Sequence, residues 1–132
     1  MGRSAGGVKA INLKNKDKVT GFIIIENDKD EKNRKLLIIT ENGYGKQTLI
    51  KKYKTQRRGG RGIATAKVTK KTGLLTAARL INGKLEEVIA FSARGLVIRT
   101  ELKDIRTAGR ATQGVKIMRI DKDDLVVGVV CL

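Results

Sequence analysis

Glu41-Asn42-Gly43-Tyr44-Gly45-Lys46-Gln47-Thr48 returns later in the chain as Ala93-Arg94-Gly95-Leu96-Val97-Ile98-Arg99-Thr100, with Gly43 set on Gly95 at an offset of 52 residues. At the same offset Thr55 falls on Thr107, Arg58 on Arg110 and Gly62 on Gly114. The segments after those glycines agree as well: Gly62-Ile63-Ala64-Thr65-Ala66-Lys67-Val68 and Gly114-Val115-Lys116-Ile117-Met118-Arg119-Ile120. A third copy, Gly7-Val8-Lys9-Ala10-Ile11-Asn12-Leu13, lies 55 residues before Gly62. The first unit therefore carries three extra residues, which we place in the polar stretch 26–35. A period near 50 residues is the range of β-propeller blades.

The local chemistry is β throughout. Short apolar segments bounded by turn signals predict strands at Val8–Leu13, Val19–Ile25, Leu36–Thr40 and Lys46–Ile50, then Ile63–Val68, Leu74–Ile81, Leu85–Phe91 and Leu96–Thr100, and finally Val115–Ile120 and Leu125–Val130. Asn82-Gly83 is a hairpin signal, and Asn42-Gly43 is expected to turn the matching outer pair. Leu85–Phe91 alone would also suit a helix, but its repeat partner Leu36–Thr40 would not, so the repeat decides for strand. The expectation is an all-β chain of about two and a half four-stranded antiparallel blades, a partial β-propeller, with units at 1–54, 55–106 and 107–132. A closed propeller takes at least about four blades. Three ways of meeting that remain open: a longer protein, several copies completing a ring, or some other cap on the open ends.

Composition narrows the chemistry. The 132 residues suffice for one domain with a core, and 40% hydrophobic content with 15 glycines is too apolar for a disordered basic tail. The chain has no His and one Cys, Cys131, which excludes a Cys/His metal site and a His-based triad. Cys131 is expected to pack as a small hydrophobe in a reducing compartment. Aromatic residues make up 3%, too few for base stacking to carry nucleic-acid binding. No cofactor is called for. No apolar run is long enough to cross a bilayer, and Met1-Gly2 fails as a myristoylation signal because Gly6 stands where Ser or Thr is needed.

Charge supplies a positive signal. The net charge is +16, and no Asp or Glu occurs between Glu41 and Glu86, where 12 Lys and Arg residues lie. A soluble face usually mixes signs; a one-signed field of this size suits a polyanion. Its centre is Gln56-Arg57-Arg58-Gly59-Gly60-Arg61-Gly62, with three guanidiniums and three glycines in seven residues. Guanidinium forks match phosphate oxygens, and glycine lets a backbone come close to an anion.

This box, with the repeat, resembles the C-terminal domain of the DNA gyrase A protein. Arg61 takes the penultimate place where Lys is usual, which keeps the charge. Asn42-Gly43-Tyr44-Gly45-Lys46, Arg99-Thr100, Asp104-Ile105-Arg106-Thr107-Ala108-Gly109-Arg110 and Thr112-Gln113-Gly114-Val115 look like the same domain. The resemblance covers the whole chain as the last two to three blades of a six-bladed, pinwheel-type propeller. It implies sequence-independent binding and wrapping of duplex DNA, as a non-catalytic part of a bacterial type II topoisomerase that introduces negative supercoils at the expense of ATP. The implied partners are double-stranded DNA, the gyrase B protein and the rest of the gyrase A protein, in the bacterial cytoplasm at the nucleoid. The intact box favours gyrase over topoisomerase IV or a shortened relative. Arg57, Arg58 and Arg61 are expected on phosphates. Gly59, Gly60 and Gly62 are expected to let the loop and its N–H groups approach the duplex backbone, Gln56 is expected at the DNA with the rest of the box, and Lys46, Lys51, Lys52, Arg94, Arg99, Arg106 and Arg110 extend the track along the rim.

Two readings compete. Arg58-Gly59-Gly60-Arg61-Gly62 is also an RGG-type RNA-binding element, but such elements usually recur in low-complexity sequence and this one occurs once between strand-like segments. An enzyme would need a constellation that the sequence lacks. Asp121, Asp123 and Asp124 are expected to form a polar turn. Tyr44 and Tyr53 fall on repeat or box-flanking positions and are not read as nucleophiles.

Overall fold

A computed structural model describes residues 6–25 and 34–132. The inserted residues predicted for the first unit lie largely outside the described residues. Among the described residues seven strands form: β1 (Lys35–Thr40), β2 (Tyr44–Leu49), β3 (Leu75–Ile81), β4 (Glu87–Ser92), β5 (Val97–Glu101), β6 (Val115–Lys116) and β7 (Val126–Cys131). All ladders between them are antiparallel. The first sheet runs β3-β1-β2-β6 and the second β5-β4-β7.

The 52-residue period reappears in the backbone. Gly43 turns β1 into β2 at φ +85°, and Gly95 turns β4 into β5 at φ +90°. Each turn is capped by a hydroxyl: Thr40 Oγ1 accepts from the Tyr44 N–H at 3.1 Å, and Ser92 Oγ from the Leu96 N–H at 3.0 Å. A short 3-10 turn follows each hairpin, Ile50–Lys52 and Leu102–Asp104, and buries Ile50 and Leu102 respectively. The register slips between Ile39 and Thr40 and again between Phe91 and Ser92, 52 residues on.

The sheets do not coincide with the sequence repeats. β1 and β2 come from the first repeat, β3 from the second and β6 from the third, yet they form one sheet. In the second sheet β4 and β5 are followed in space by β7, which belongs to the next repeat. Strand alternation puts Leu37 and Ile39 of β1 and Ala77 and Ile81 of β3 on one face. That face packs on Val88 and Ala90 of β4 and Val126 and Val129 of β7, with Leu102, Ile105 and Met118 completing the core. Ile39, Val88 and Val126 are wholly buried, each worth roughly 1.5–3 kcal/mol of transfer free energy. Cys131 packs against this core, half-buried as expected, and burial raises its thiol pKa from the ordinary value of 9.0.

Four expectations need correction. Val8–Leu13, Val19–Ile25 and Ile63–Val68 are not strands. By the repeat, Val19–Ile25 matches β3, which pairs with the hairpin of the preceding repeat, and among the described residues no hairpin precedes Val19. Ile63–Val68 matches the β6 segment, which also pairs with an earlier hairpin. Without a ladder partner an apolar segment has the propensity of a strand but not its bonds. Phe22 and Ile24 are accordingly 86% and 73% exposed. β6 itself stops at Lys116, because Gly43 O takes the N–H groups of both Ile117 and Met118 and Met118 turns into the core. The fourth correction is Asn82-Gly83, which turns no hairpin: β3 and β4 lie in different sheets, and the turn carries the chain between them, with Asn82 Oδ1 accepting from the Lys84 N–H.

Candidate nucleic-acid interface

The box sits on a loop tied at its base and along one side. Tyr53 and Thr65 share a hydroxyl–hydroxyl bond that closes the base. Alongside, residues 10–12 run parallel to the glycines: the Gly59 N–H donates to Ala10 O at 3.0 Å and the Asn12 N–H to Gly60 O at 2.7 Å. Gly59 and Gly62 both have positive φ, +76° and +77°. The glycines therefore serve the loop's own fold. This corrects the expectation for Gly59, whose N–H is spent inside the protein and is not offered to an anion.

Arg57, Arg58 and Arg61 are exposed. Among the described residues none of the three guanidiniums has a hydrogen-bond or ion-pair partner. Gln56 turns back, its Nε2 donating to Lys54 O. Lys51 and Lys52 are exposed on the 3-10 turn that leads into the loop. The parallel pairing also brings Lys9, which is exposed, beside Gly59. Sequence reasoning passed over Lys9; its signal was its place in the third repeat copy.

The other predicted cations divide. Arg106 is exposed and Arg110 half-buried on the connection after the second 3-10 turn. Arg110 reaches the box-bearing segment, its Nη1 donating to Ala64 O at 2.9 Å. Arg94 is exposed in the β4–β5 turn, where its N–H donates to Asp124 Oδ1. Arg99 lies on β5 and is ion-paired with Glu87, its Nε 2.7 Å from Oε2. That pair engages part of the Arg99 fork, though its side chain stays largely exposed.

Lys46 is where the expectation fails. It is fully buried in β2. Its Nζ donates to Gly109 O at 2.6 Å, Arg110 O at 3.0 Å, Thr112 O at 2.9 Å and Thr112 Oγ1 at 3.0 Å. Burial lowers its pKa from the ordinary 10.5, while three carbonyls and a hydroxyl favour the ammonium. A buried cation is tolerated only when it is saturated in this way. Lys46 is therefore engaged inside the protein and is not exposed on its surface.

Around the turn of the second sheet the Asp124 carboxyl is held below its ordinary value of 3.8, chiefly by the Ser92 hydroxyl and further by the N–H groups of Leu125 and Arg94. Asp121 and Asp124 form the polar turn expected of them, with the Asp124 N–H donating to Asp121 O. Among the described residues no group of three His, Cys, Asp or Glu side chains is arranged to hold a metal, and no helix is long and apolar enough to cross a membrane.

The DNA gyrase C-terminal domain, a β-propeller family, matches residues 1–26, 34–82 and 86–132. Among curated proteins the chain is similar to the DNA gyrase A protein of Staphylococcus epidermidis, 36% identical over 126 residues. It is also similar to that of Staphylococcus aureus, 39% identical over 127 residues. Each match covers 96% of this chain and 14% of the relative's length. Among solved structures, a DNA gyrase A C-terminal domain superposes with a TM-score of 0.68 at 30% identity, over 76% of this chain and 34% of that one. The C-terminal domain of a DNA topoisomerase IV superposes with a TM-score of 0.82 at 18% identity, over 96% of this chain and 38% of that one, a likeness of fold. The strand order, the paired hairpins and the family match agree: the chain belongs to the DNA gyrase C-terminal domain family.

Proposed function

We propose that this chain binds and wraps duplex DNA without regard to sequence, as the non-catalytic C-terminal part of a bacterial gyrase that introduces negative supercoils using ATP. The observation that carries the reading is the box loop. Three exposed guanidiniums without partners among the described residues project from a loop held by backbone bonds, beside Lys9, Lys51 and Lys52. Unspent, pre-positioned cations suit a phosphate backbone, whereas Arg99 is paired with Glu87. Bending DNA along a curved rim costs on the order of 1–6 kcal/mol over 20–30 bp, which several phosphate contacts offset.

The repeat units at 1–54, 55–106 and 107–132 are the sequence basis of this rim. The free edge of β5 and the exposed Phe91 and Val97 beside it are where further blades add. The rest of a gyrase A-type protein supplies them, or copies of this chain complete the ring; the mass in solution separates the two. The gyrase B-type protein, the cytoplasm and the nucleoid complete the setting of this reading.

The test is the triple change Arg57→Ala, Arg58→Ala, Arg61→Ala. If each arginine neutralises one phosphate, the slope of log affinity against log salt becomes shallower by about 0.9 per contact, about 2.7 in all. The loss should be equal for unrelated duplexes and the fold stability unchanged. An unaltered slope in a folded variant would refute the assignment. A preference for single-stranded RNA over duplex DNA would favour the RGG-type reading.

A further inference from the structure

Lys46 sits where the repeat gives Ile98, so its ammonium is a device of one blade and not of the repeat in general. The connection it holds, residues 105–112, hooks around the free side of β2. On one face of that strand the Gln47 side chain donates to Leu102 O at 2.9 Å and Ile105 O at 3.0 Å. At the edge the Gln47 backbone N–H donates to Arg106 O and its carbonyl accepts from the Ala108 N–H. On the opposite face Lys46 gathers the carbonyls of Gly109, Arg110 and Thr112. Alternation of side chains along a strand lets two neighbouring residues grip one connection from both faces.

The same connection then reaches the box-bearing segment at two points. Arg110 Nη1 donates to Ala64 O, and the Lys67 N–H donates to Thr112 O at 3.0 Å. Every carbonyl that Lys46 gathers belongs to the turn 109–112, and that turn makes both contacts. We infer that Lys46 is a positioning residue: through the turn 109–112 it fixes the C-terminal side of the box loop against the first sheet, and so sets where Arg57, Arg58 and Arg61 point. This rests on the DNA-binding reading for its readout in affinity, but not for its readout in structure.

The test uses Lys46→Met, which keeps an unbranched stem of four heavy atoms and removes the donors. Amide hydrogen exchange is measured across the chain, and duplex affinity is measured both with the native box and with Arg57, Arg58 and Arg61 changed to Ala. The expected result is faster exchange at Lys67 and Ala108, whose N–H groups bond to Thr112 O and Gln47 O, by roughly tenfold to a hundredfold, the worth of a charged hydrogen bond. β4 and β7 should keep their protection. Duplex affinity should fall several-fold with the native box and not at all with the alanine box. An affinity loss of equal size in both backgrounds would overturn the proposal, as would unchanged exchange at Lys67. If Lys46→Met does not fold, Thr112→Ala, which withdraws only one acceptor, is decided by the same two measurements. If the alanine box itself leaves DNA binding intact, the DNA reading fails, and exchange at Lys67 alone decides the role of Lys46.

Discussion

Gly43 and Gly95 occupy the same turn of two successive hairpins, at φ +85° and +90°, but their surroundings differ. An added Cβ on Gly43 would stand 2.5 Å from Met118 O and 2.8 Å from Met118 Cγ; on Gly95 it would meet nothing within 4 Å. Changing each to Ala therefore separates backbone strain from steric conflict. Left-handed backbone costs a residue with a Cβ about 1–2 kcal/mol. Reduced freedom of the unfolded chain returns about 0.4–1 kcal/mol. Gly95→Ala should thus cost about 1 kcal/mol. Gly43→Ala must in addition displace backbone at Met118, and overpacking of this kind costs roughly 1–3 kcal/mol more. For a domain of this size 1 kcal/mol moves the melting temperature by roughly 3–5 °C. The melting temperature of Gly43→Ala should therefore fall below that of Gly95→Ala by at least about 3 °C. Urea titration of both variants, with matching slopes to confirm a common unfolded state, gives the comparison directly. Equal losses would show that the packing of Met118 on the first hairpin is not what the structure says it is.

Asp124 and Cys131 give two further tests. The Asp124 carboxyl is depressed in the folded state, so its contribution is present above the unfolded value near 3.8 and lost as pH falls through the folded one. Asp124→Asn should therefore flatten the loss of stability below about pH 4, and an unchanged acid limb of the urea midpoint would count against the Ser92–Asp124 bond. The Cys131 thiol, raised by burial, should react with iodoacetamide at mildly alkaline pH more slowly than an unstructured cysteine. The difference should vanish in denaturant, and equal rates in the native state would mean that β7 does not stay docked.

Sequence made the hairpins legible because their information is local. A glycine with positive φ, a hydroxyl three residues before it and an apolar alternation can be read from a few residues, and doubling them at a fixed offset removed the ambiguity at Leu85–Phe91. That the box arginines stay exposed was legible for the same reason. What could not be read was pairing across repeats. Nothing local in Val115-Lys116 says that it closes a sheet begun at Lys35, or in Asn82-Gly83 that the chain changes sheets there. Lys46 shows the limit most clearly. Its neighbours are polar and its charge matches the rim, but its four acceptors come from residues more than 60 positions away. Gly59 was misread in the same way, because its partner, Ala10, lies in another repeat.

The sharing of one sheet among three repeats has a consequence for the chain as it is made. The β1–β2 hairpin is complete at Leu49, but its last strand ends at Lys116, 67 residues later. At about 5–20 residues per second that interval is roughly 3–13 s on the ribosome. Through it the outer edge of β2 stands unpaired beside a nearly apolar β1, the kind of edge that recruits other nascent chains. Lys46 is then a solvated charge in the middle of that edge, and charged residues there discourage pairing. Only when residues 109–112 emerge does the ammonium gain its acceptors and leave water. The same side chain guards the young sheet against the wrong neighbour and later fastens the right one.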